Sequence, residues 1–583
     1  MAVLRASPGG LACGARRAAP FPASRAPLTT SAVAVTSGPP PRDGPQGPSA
    51  LPLRPPAWLR RALPSQLSCL SAQGFGSGRQ PGYGNIGIGR GYAVLAAAAA
   101  GEAFIKTTRP RDPPRVCVLG GGFGGLYTAV RLNSLMWPEG TKPQVTVIDQ
   151  NDRFVFKPML YELLSDAAQP WEVAPRFDKL LAPYGARFVQ GQVAAVEPAG
   201  GQGAPAGRVL LKDGQPIEYD WLVLAIGSDA TPRKVPGAKE FAIPFVTFDD
   251  AMKVRSHLEV LERGSNATVA IVGAGYAGVE LAVAVAERLG VAAGNVRLVT
   301  PGPDIMPGAD AGQRASAHRK LSQLGVTVMV GTSVASLQQA DTEPGRPLTR
   351  RRIKLNKAES NKEIVMEADL VLWTAGAVPL TADDSDTFRP KPSFGLPFPR
   401  NSRGATETEP TLRVVGNSRV FALGDVSEMA ADGGEHLPAT AQVAFQQADY
   451  VAWNLWASIN GRPLLPFRYQ HLGNMMSLGK TAGSVALPFG LPPPVSSSVA
   501  NSQFGELLGR MGVQVGNSGV TLDGPLGGLV RRAAYWYRQP TDDHRARVGI
   551  SWAAQAARDA ADMVGTAGIT SLLGALQNSQ GRK

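Results

Sequence analysis

The order of apolar positions along this chain changes abruptly near residue 115. Before that point they are scattered among Ala, Arg, Ser, Pro and Gly with no sustained period. Arg115–Leu119 (RVCVL) is then a short, β-branched apolar run, which predicts a buried strand. A glycine turn, GGGFGG, leads into LYTAVRLNSL, whose apolar residues recur at helical spacing. Gln144–Asp149 (QVTVID) is a second apolar strand and ends in an acid. Strand, glycine turn, helix, strand and acid make one βαβ unit. The order then repeats with Ala267–Val272 (ATVAIV), GAGYAG, the helical VELAVAVAERL and the strand 295–299 (NVRLV). Three more apolar runs, 220–228 (DWLVLAIGS), 368–377 (ADLVLWTAGA) and 419–425 (RVFALGD), each end in a bend of small residues.

The glycines carry the first candidate chemistry. Gly120, Gly122 and Gly125 form GxGxxG. The first permits a tight turn, the second lets a pyrophosphate approach the backbone, and the third lets helix pack on strand. Free N–H groups at the helix start then face the phosphates, and Asp149 stands where a carboxylate accepts from a ribose diol. With 67 Gly in 583 residues the triplet alone carries little weight. Gly82, Gly84 and Gly87 repeat it without a preceding strand or a terminal acid, and so fail on context. Gly273, Gly275 and Gly278 repeat it in full context and point to a second dinucleotide. There Thr300 takes the acid's place. Without a carboxylate nothing repels a 2′-phosphate, so NADPH is expected alongside or ahead of NADH. The alternative is that Thr300 only ends a strand and another acid grips the ribose. Gly227 and Gly376 lie in bends where a cofactor comes close to the backbone. Asp425 is placed to bond a ribityl hydroxyl or, more simply, to cap a helix.

Charge and cysteine content then remove classes. The formal net charge is +13, but residues 1–100 hold ten Arg, no Lys and one acid, Asp43. That acid-poor, Ser/Pro/Arg-rich segment reads as an organellar transit peptide and linker, plastid ahead of mitochondrion. The remainder is close to neutral, so the basic character does not indicate nucleic acid. The cysteines are Cys13, Cys69 and Cys117. One cysteine beyond the leader excludes a CxxC redox pair and a multi-cysteine metal site, and Cys117 sits in a strand pattern as a packing residue. No metal site is expected. No run of 18 uninterrupted apolar residues exists to span a bilayer.

Five motifs in this order resemble the two-dinucleotide-binding-domain flavoproteins over about residues 115–466. The resemblance implies an α/β fold with two Rossmann-like domains. An FAD domain in two parts (115–265 and 367–466) surrounds an inserted NAD(P)H domain (266–366). FAD then falls to Gly120, Gly122, Gly125, Asp149, Gly227 and Asp425, and NAD(P)H to Gly273, Gly275, Gly278, Thr300 and Gly376. Glu280, in GYAGVELA, matches a carboxylate that lies near the nicotinamide in such enzymes. The stretch 441–448 (AQVAFQQA) resembles the AQxAxQ quinone motif of type II NAD(P)H:quinone oxidoreductases, which work through FAD without pumping protons. Its Gln442 and Gln446 are i and i+4, so both amides are expected to face one cavity and donate to quinone oxygens. Segments 153–165, 437–454, 460–480 and 539–552 resemble the plastid type-C branch, which includes demethylphylloquinone reductase. That implies prenylquinone substrates (plastoquinone and naphthoquinones) at a plastoglobule or thylakoid stromal surface.

Residues 467–583 are expected to form a membrane-surface region. They hold an apolar segment at 487–495, a basic-aromatic patch at 531–538 (RRAAYWYR), and a weak apolar stripe of Trp552, Ala556, Ala560, Met563 and Ala567. Aromatics beside cations suit an interfacial helix; the plainer reading is a packed subdomain. The basic segment 350–357 reads as a solvated strand pair. Two other functions stay open: a reductase of a protein acceptor such as ferredoxin, and a regulatory flavoprotein of a lipid-droplet surface. The oligomeric state also stays open, a homodimer included.

Overall fold

The computed structural model describes residues 113–561, except 200–205, 265, 342–347, 359–361, 383–386, 389–395, 430–436, 489–501, 516–518 and 560. The N-terminal leader, its Gly82–Gly84–Gly87 triplet, most of 487–495, and Ala560, Met563 and Ala567 lie outside the described residues.

Strand β1 (Arg115–Leu119) is buried along almost its whole length, as a central parallel strand must be. It leads through the glycine turn into α1 (Phe123–Ser134) and pairs in parallel with β2 (Gln144–Asp149), Val116 opposite Val145 and Leu119 opposite Ile148. The sheet grows outward to β3 (Arg187–Gln190) and, on the other side, to β4 (Trp221–Leu224). Arg115 fastens this start, its backbone N–H and guanidinium both donating to Asp220 at the entry to β4.

The second sheet repeats the arrangement. Strand β5 (Ala267–Val272) is buried at every position and feeds α2 (Tyr276–Ala293), which is interrupted at Gly290 with φ +68°. Strands β6 (Gly294–Val299), β7 (Thr327–Met329) and β8 (Leu370–Trp373) follow, and a short strand at Ile243–Pro244 completes the order β7-β6-β5-β8-(Ile243–Pro244). Strand β8 lies beyond the expected boundary at 366. Its pairing with β5, Val269 opposite Leu370, makes it part of the second sheet. The basic segment is the central strand of an antiparallel trio, Arg351–Lys357 between Thr332–Gln339 and Lys362–Ala368. Its Ile353 and Leu355 are buried while its cations pair with Glu367, Asp341 and Glu363.

The chain then returns to the first sheet. Strand β9 (Val420–Ala422) pairs in parallel with β4 and gives the order β9-β4-β1-β2-β3, so the first domain is discontinuous in sequence. Helix α3 (Ala441–Ile459), capped by the Thr440 hydroxyl, packs along α1.

The C-terminal region is a packed subdomain. Strands β10 (Asn474–Ser477), β11 (Gly483–Leu487), β12 (Val513–Val515) and β13 (Val520–Leu522) form an antiparallel sheet of order β10-β11-β13-β12. Helix α4 (Gly524–Tyr537) lies on it through Gly527 and Gly528, where an added Cβ would come within 2.4 Å of backbone oxygens. The 3.6-residue period therefore turns Arg531 and Tyr535 inward with those glycines, while Leu529, Trp536 and Tyr537 face out. This corrects the expected patch at 531–538, which is two-faced. Of the stripe beyond it, in a helix over 542–559, Trp552 is half-buried beneath Arg532 and Ala556 is exposed. Among the described residues no helix is long and apolar enough to cross a membrane.

Candidate active site

The three glycines after β1 act for three different reasons. Gly120 has φ +93°, and a Cβ there would sit 2.4 Å from the Ala225 carbonyl oxygen. A Cβ at Gly125 would meet the Gly120 oxygen at 1.9 Å, so this position sets how closely α1 approaches the turn. Gly122 has nothing within 4 Å of its missing Cβ. Its open side lies at the start of α1, where Gly122 offers no side-chain cap and the first N–H groups remain available. This is a cradle shaped for a pyrophosphate. Asp149 closes it from the end of β2, accepting from the Gly121 N–H at 2.7 Å and the Asn151 N–H at 2.8 Å. Burial pushes the Asp149 carboxyl up, against the lowering effect of those N–H groups.

Two later segments meet this edge. The bend at Gly227 (φ +75°) is open, and the next residue, Ser228, donates from its hydroxyl to Asp425 at 2.7 Å. Gly424, with φ +74°, donates its N–H to the side-chain oxygen of Gln447 on α3, also at 2.7 Å. Residues 120–125, 149, 227–228 and 424–425 thus converge at the carboxyl ends of the first sheet, where α/β sheets bind ligands. They fit FAD: an open cradle for the diphosphate, an acid for the ribose, and an acid for the ribityl chain.

The second cradle has the same form. Gly273 has φ +104°, Gly275 is open, and a Cβ at Gly278 would meet the Gly273 oxygen at 1.7 Å. The Thr374 hydroxyl donates to the Val272 and Gly273 carbonyls, both at 3.0 Å. Thr300 is buried at the end of β6, and its hydroxyl accepts weakly from the Gly302 N–H at 3.4 Å. The following acid, Asp304, is held by His318 at 2.6 Å, and that bond keeps its carboxyl below the usual range. Gly376 differs from Gly227: Arg233 covers it, with Nε only 2.6 Å from where a Cβ would stand. The strands after the two bends, Ala377–Pro379 and Ser228–Ala230, pair with each other, so Gly376 belongs to the junction between the domains.

Glu280 projects from the first turns of α2 into a buried site. Its Oε1 accepts from the Ser477 N–H at 2.7 Å, at the end of β10, and Tyr161 faces the same carboxyl. Burial pushes this carboxyl up to about 7, against the lowering influence of the Ser477 N–H and the Arg531 charge.

The pattern of the pyridine nucleotide-disulphide oxidoreductase family matches residues 114–448. The chain is 45% identical to the alternative NAD(P)H-ubiquinone oxidoreductase C1, chloroplastic/mitochondrial, of Arabidopsis thaliana, over 76% of this chain and 82% of that one. It is 38% identical to the demethylphylloquinone reductase NdbB of Synechocystis, over 75% of this chain and 95% of that one. The chain belongs to the type II NAD(P)H:quinone oxidoreductases. Solved structures agree on the fold. NDH2 of Plasmodium falciparum with NADH aligns at 16% identity and TM-score 0.50, over 64% of this chain and 90% of that one. The sulfide:quinone oxidoreductase of Aquifex aeolicus aligns at 17% and 0.54, over 73% and 90%.

The wider family's name refers to a disulphide. Among the described residues this chain's one cysteine is Cys117, buried in β1, where desolvation pushes the thiol up. The two motif glutamines are hydrogen-bonded to the chain that follows α3. Gln442 donates to the Gly473 carbonyl at 3.0 Å and accepts from Tyr469 and the Leu472 N–H. Gln446 exchanges two hydrogen bonds with the Gln470 backbone, at 2.9 and 3.0 Å. Both amides clamp the 469–473 segment, because they flank the inward face of α3 formed by Val443, Ala444, Gln447, Ala448 and Val451. Gln447 is the residue that the motif did not single out. The period of that buried face is the signal that locates it.

Proposed function

We propose that this enzyme oxidises NAD(P)H and reduces a plastid prenylquinone, plastoquinone or a demethylphylloquinone-type naphthoquinone, without moving protons across a membrane. The observation that carries this reading is the pair of open glycine cradles with the buried Glu280 on the helix of the second. FAD, when bound, supplies a two-electron relay between hydride donor and quinone. The net reaction takes NAD(P)H, one proton and a quinone to NAD(P)⁺ and a quinol. The α1 and α2 N-termini bind the two diphosphates, and Asp149 and Asp425 orient ribose and ribityl hydroxyls. Glu280, with a carboxyl that titrates near neutrality, holds the proton that the quinol requires. Gln442 and Gln446 act one step back, shaping the quinone approach through the 469–473 segment. Thr300 leaves room for a 2′-phosphate.

The plastid address rests on the acid-poor leader and on the chloroplastic/mitochondrial and cyanobacterial names of the relatives. Access to a lipid-borne quinone falls to the outer face of α4 and the helix after it, where Leu529 (67% exposed), Trp536, Tyr537 and Ile550 (71% exposed) stand out. The test is stopped-flow on the purified holoprotein. NADPH should bleach the flavin absorbance and a plastoquinone or naphthoquinone analogue should restore it; no recovery with either would refute the assignment.

A further inference from the structure

Between the C-terminal subdomain and Glu280 lies a buried ion pair that neither nucleotide cradle uses. Glu162, in the 3-10 turn Lys157–Leu163, accepts from the Arg531 guanidinium of α4 at 2.8 Å. Both are fully enclosed, Arg531 at 1% and Glu162 at 4% exposure. The pair is incompletely satisfied. Among the described residues Glu162 Oε2 and Arg531 Nε have no hydrogen-bond partner, and Arg532 approaches Oε2 only to 3.8 Å. Arg531 also lies over the Tyr535 ring, 5.2 Å from its centroid. A buried pair with unmet donors and acceptors is a weak source of stability, since apolar replacement is often neutral or better. Its position suggests another use. The Lys157–Leu163 turn packs against α2, Tyr161 beside Glu162 faces Glu280, and β10 of the subdomain carrying Arg531 supplies the Ser477 N–H to Glu280.

We propose that Glu162 and Arg531 are positioning residues for Glu280, a fixed dipole that sets the proton-holding state of that carboxyl and makes it depend on the docked C-terminal helix. This rests on the reading of Glu280 as the carboxyl that supplies the quinol proton. The groups facing Glu280 are Tyr161 and Glu162 from the Lys157–Leu163 turn, Arg531 and Tyr535 from α4, Tyr276 from its own helix, and the Ser477 N–H from β10. Burial pushes the three phenols further above their ordinary value of 10.0, so they stay protonated in the neutral range. That leaves the pair as the charged influence on Glu280, with Arg531 lowering its proton affinity and Glu162 raising it by less.

The test measures the rate of flavin reoxidation by decylplastoquinone against pH, in the full-length holoenzyme after reduction by NADPH. The wild-type rate should fall as pH rises through the Glu280 titration. Glu162→Gln leaves the cation uncompensated and should move this limb toward acid by about one pH unit. At fixed pH on the limb that is about a tenfold change in rate. Arg531→Met should move it toward alkali by more than that, because the Arg531 charge has the larger influence on Glu280. The double variant E162Q/R531M removes both buried charges, so it folds if either single variant does not, and its limb should lie between those two, alkaline of the wild type because the larger Arg531 influence is lost. A purely structural pair would lower thermal stability and leave the limb in place. An unmoved limb in Glu162→Gln and in the double variant overturns the proposal. If instead Glu280→Gln keeps the wild-type limb, the assignment of Glu280 itself falls, and the proposal with it.

Discussion

At Gly122 and Gly125 the same substitution should have opposite consequences. Gly122→Ala places a methyl in open space at the head of α1, so the fold should be unaffected while the diphosphate loses its seat. Flavin retained after purification should fall at least about tenfold, with the apoprotein melting point nearly unchanged. Gly125→Ala drives a methyl against the Gly120 oxygen, and the overpacking should cost about 1–3 kcal/mol of fold stability. Flavin-to-protein absorbance ratios and melting curves separate the two. Glu280 makes a pH prediction of its own. Its carboxyl titrates near 7 in the fold, against an ordinary value of 4.5, so the folded state binds the extra proton between those values. Stability from this group is therefore full below about pH 4.5 and is lost as pH rises through 7, by roughly 3–4 kcal/mol. Glu280→Gln should match the wild type in chemical denaturation at pH 4 and exceed it at pH 8. Equal stability at pH 8 would mean that the buried carboxylate is better compensated than its surroundings indicate.

Helix α3 shows what element-level packing adds to a motif. Its glutamines at 442 and 446 are spaced to share a face, and they do, but that face meets the 469–473 chain. Gln446→Leu deletes two hydrogen bonds to Gln470 and should loosen that segment by about 1–3 kcal/mol. In stopped-flow, quinone reoxidation should slow several-fold while reduction by NADPH is spared; equal slowing of both would show that the segment serves the whole site. The βαβ units were legible because their information is local: RVCVL, the glycine turn and QVTVID lie within 35 residues. The bend at Gly424 and Asp425 was legible for the same reason, standing at the end of a strand. Gln447, Ser477 and the Glu162–Arg531 pair were not. Their roles come from juxtapositions across 23 to 369 positions, which no local period encodes. The inward turn of Arg531 and Tyr535 was not legible either, because the glycines that dock α4, at 527 and 528, announce no partner in sequence.

For the molecule as a whole, the consequence is that the C-terminal subdomain packs into the surroundings of Glu280. The main apolar core runs without a break from Val116 in β1 through Val279 and Leu281 in α2 to Met476, Leu478 and Tyr535 of the subdomain. Two of the contacts to the Glu280 region, Ser477 and Arg531, come from beyond residue 466. A reductase of a protein acceptor would have no need of them. Gly528→Val distinguishes the cases without removing any chain. Its Cβ would stand 2.4 Å from the Thr481 oxygen, so α4 must lift from the sheet, withdrawing Arg531 from Glu162. The expected result is a loss of about 1–3 kcal/mol in stability, faster proteolysis within 467–561, and quinone reoxidation reduced at least tenfold. Flavin should remain bound, because none of the residues at the first cradle lies on the displaced helix. If quinone turnover survives while limited proteolysis shows α4 undocked, the subdomain is an accessory, and electron delivery to quinone needs only residues 113–466.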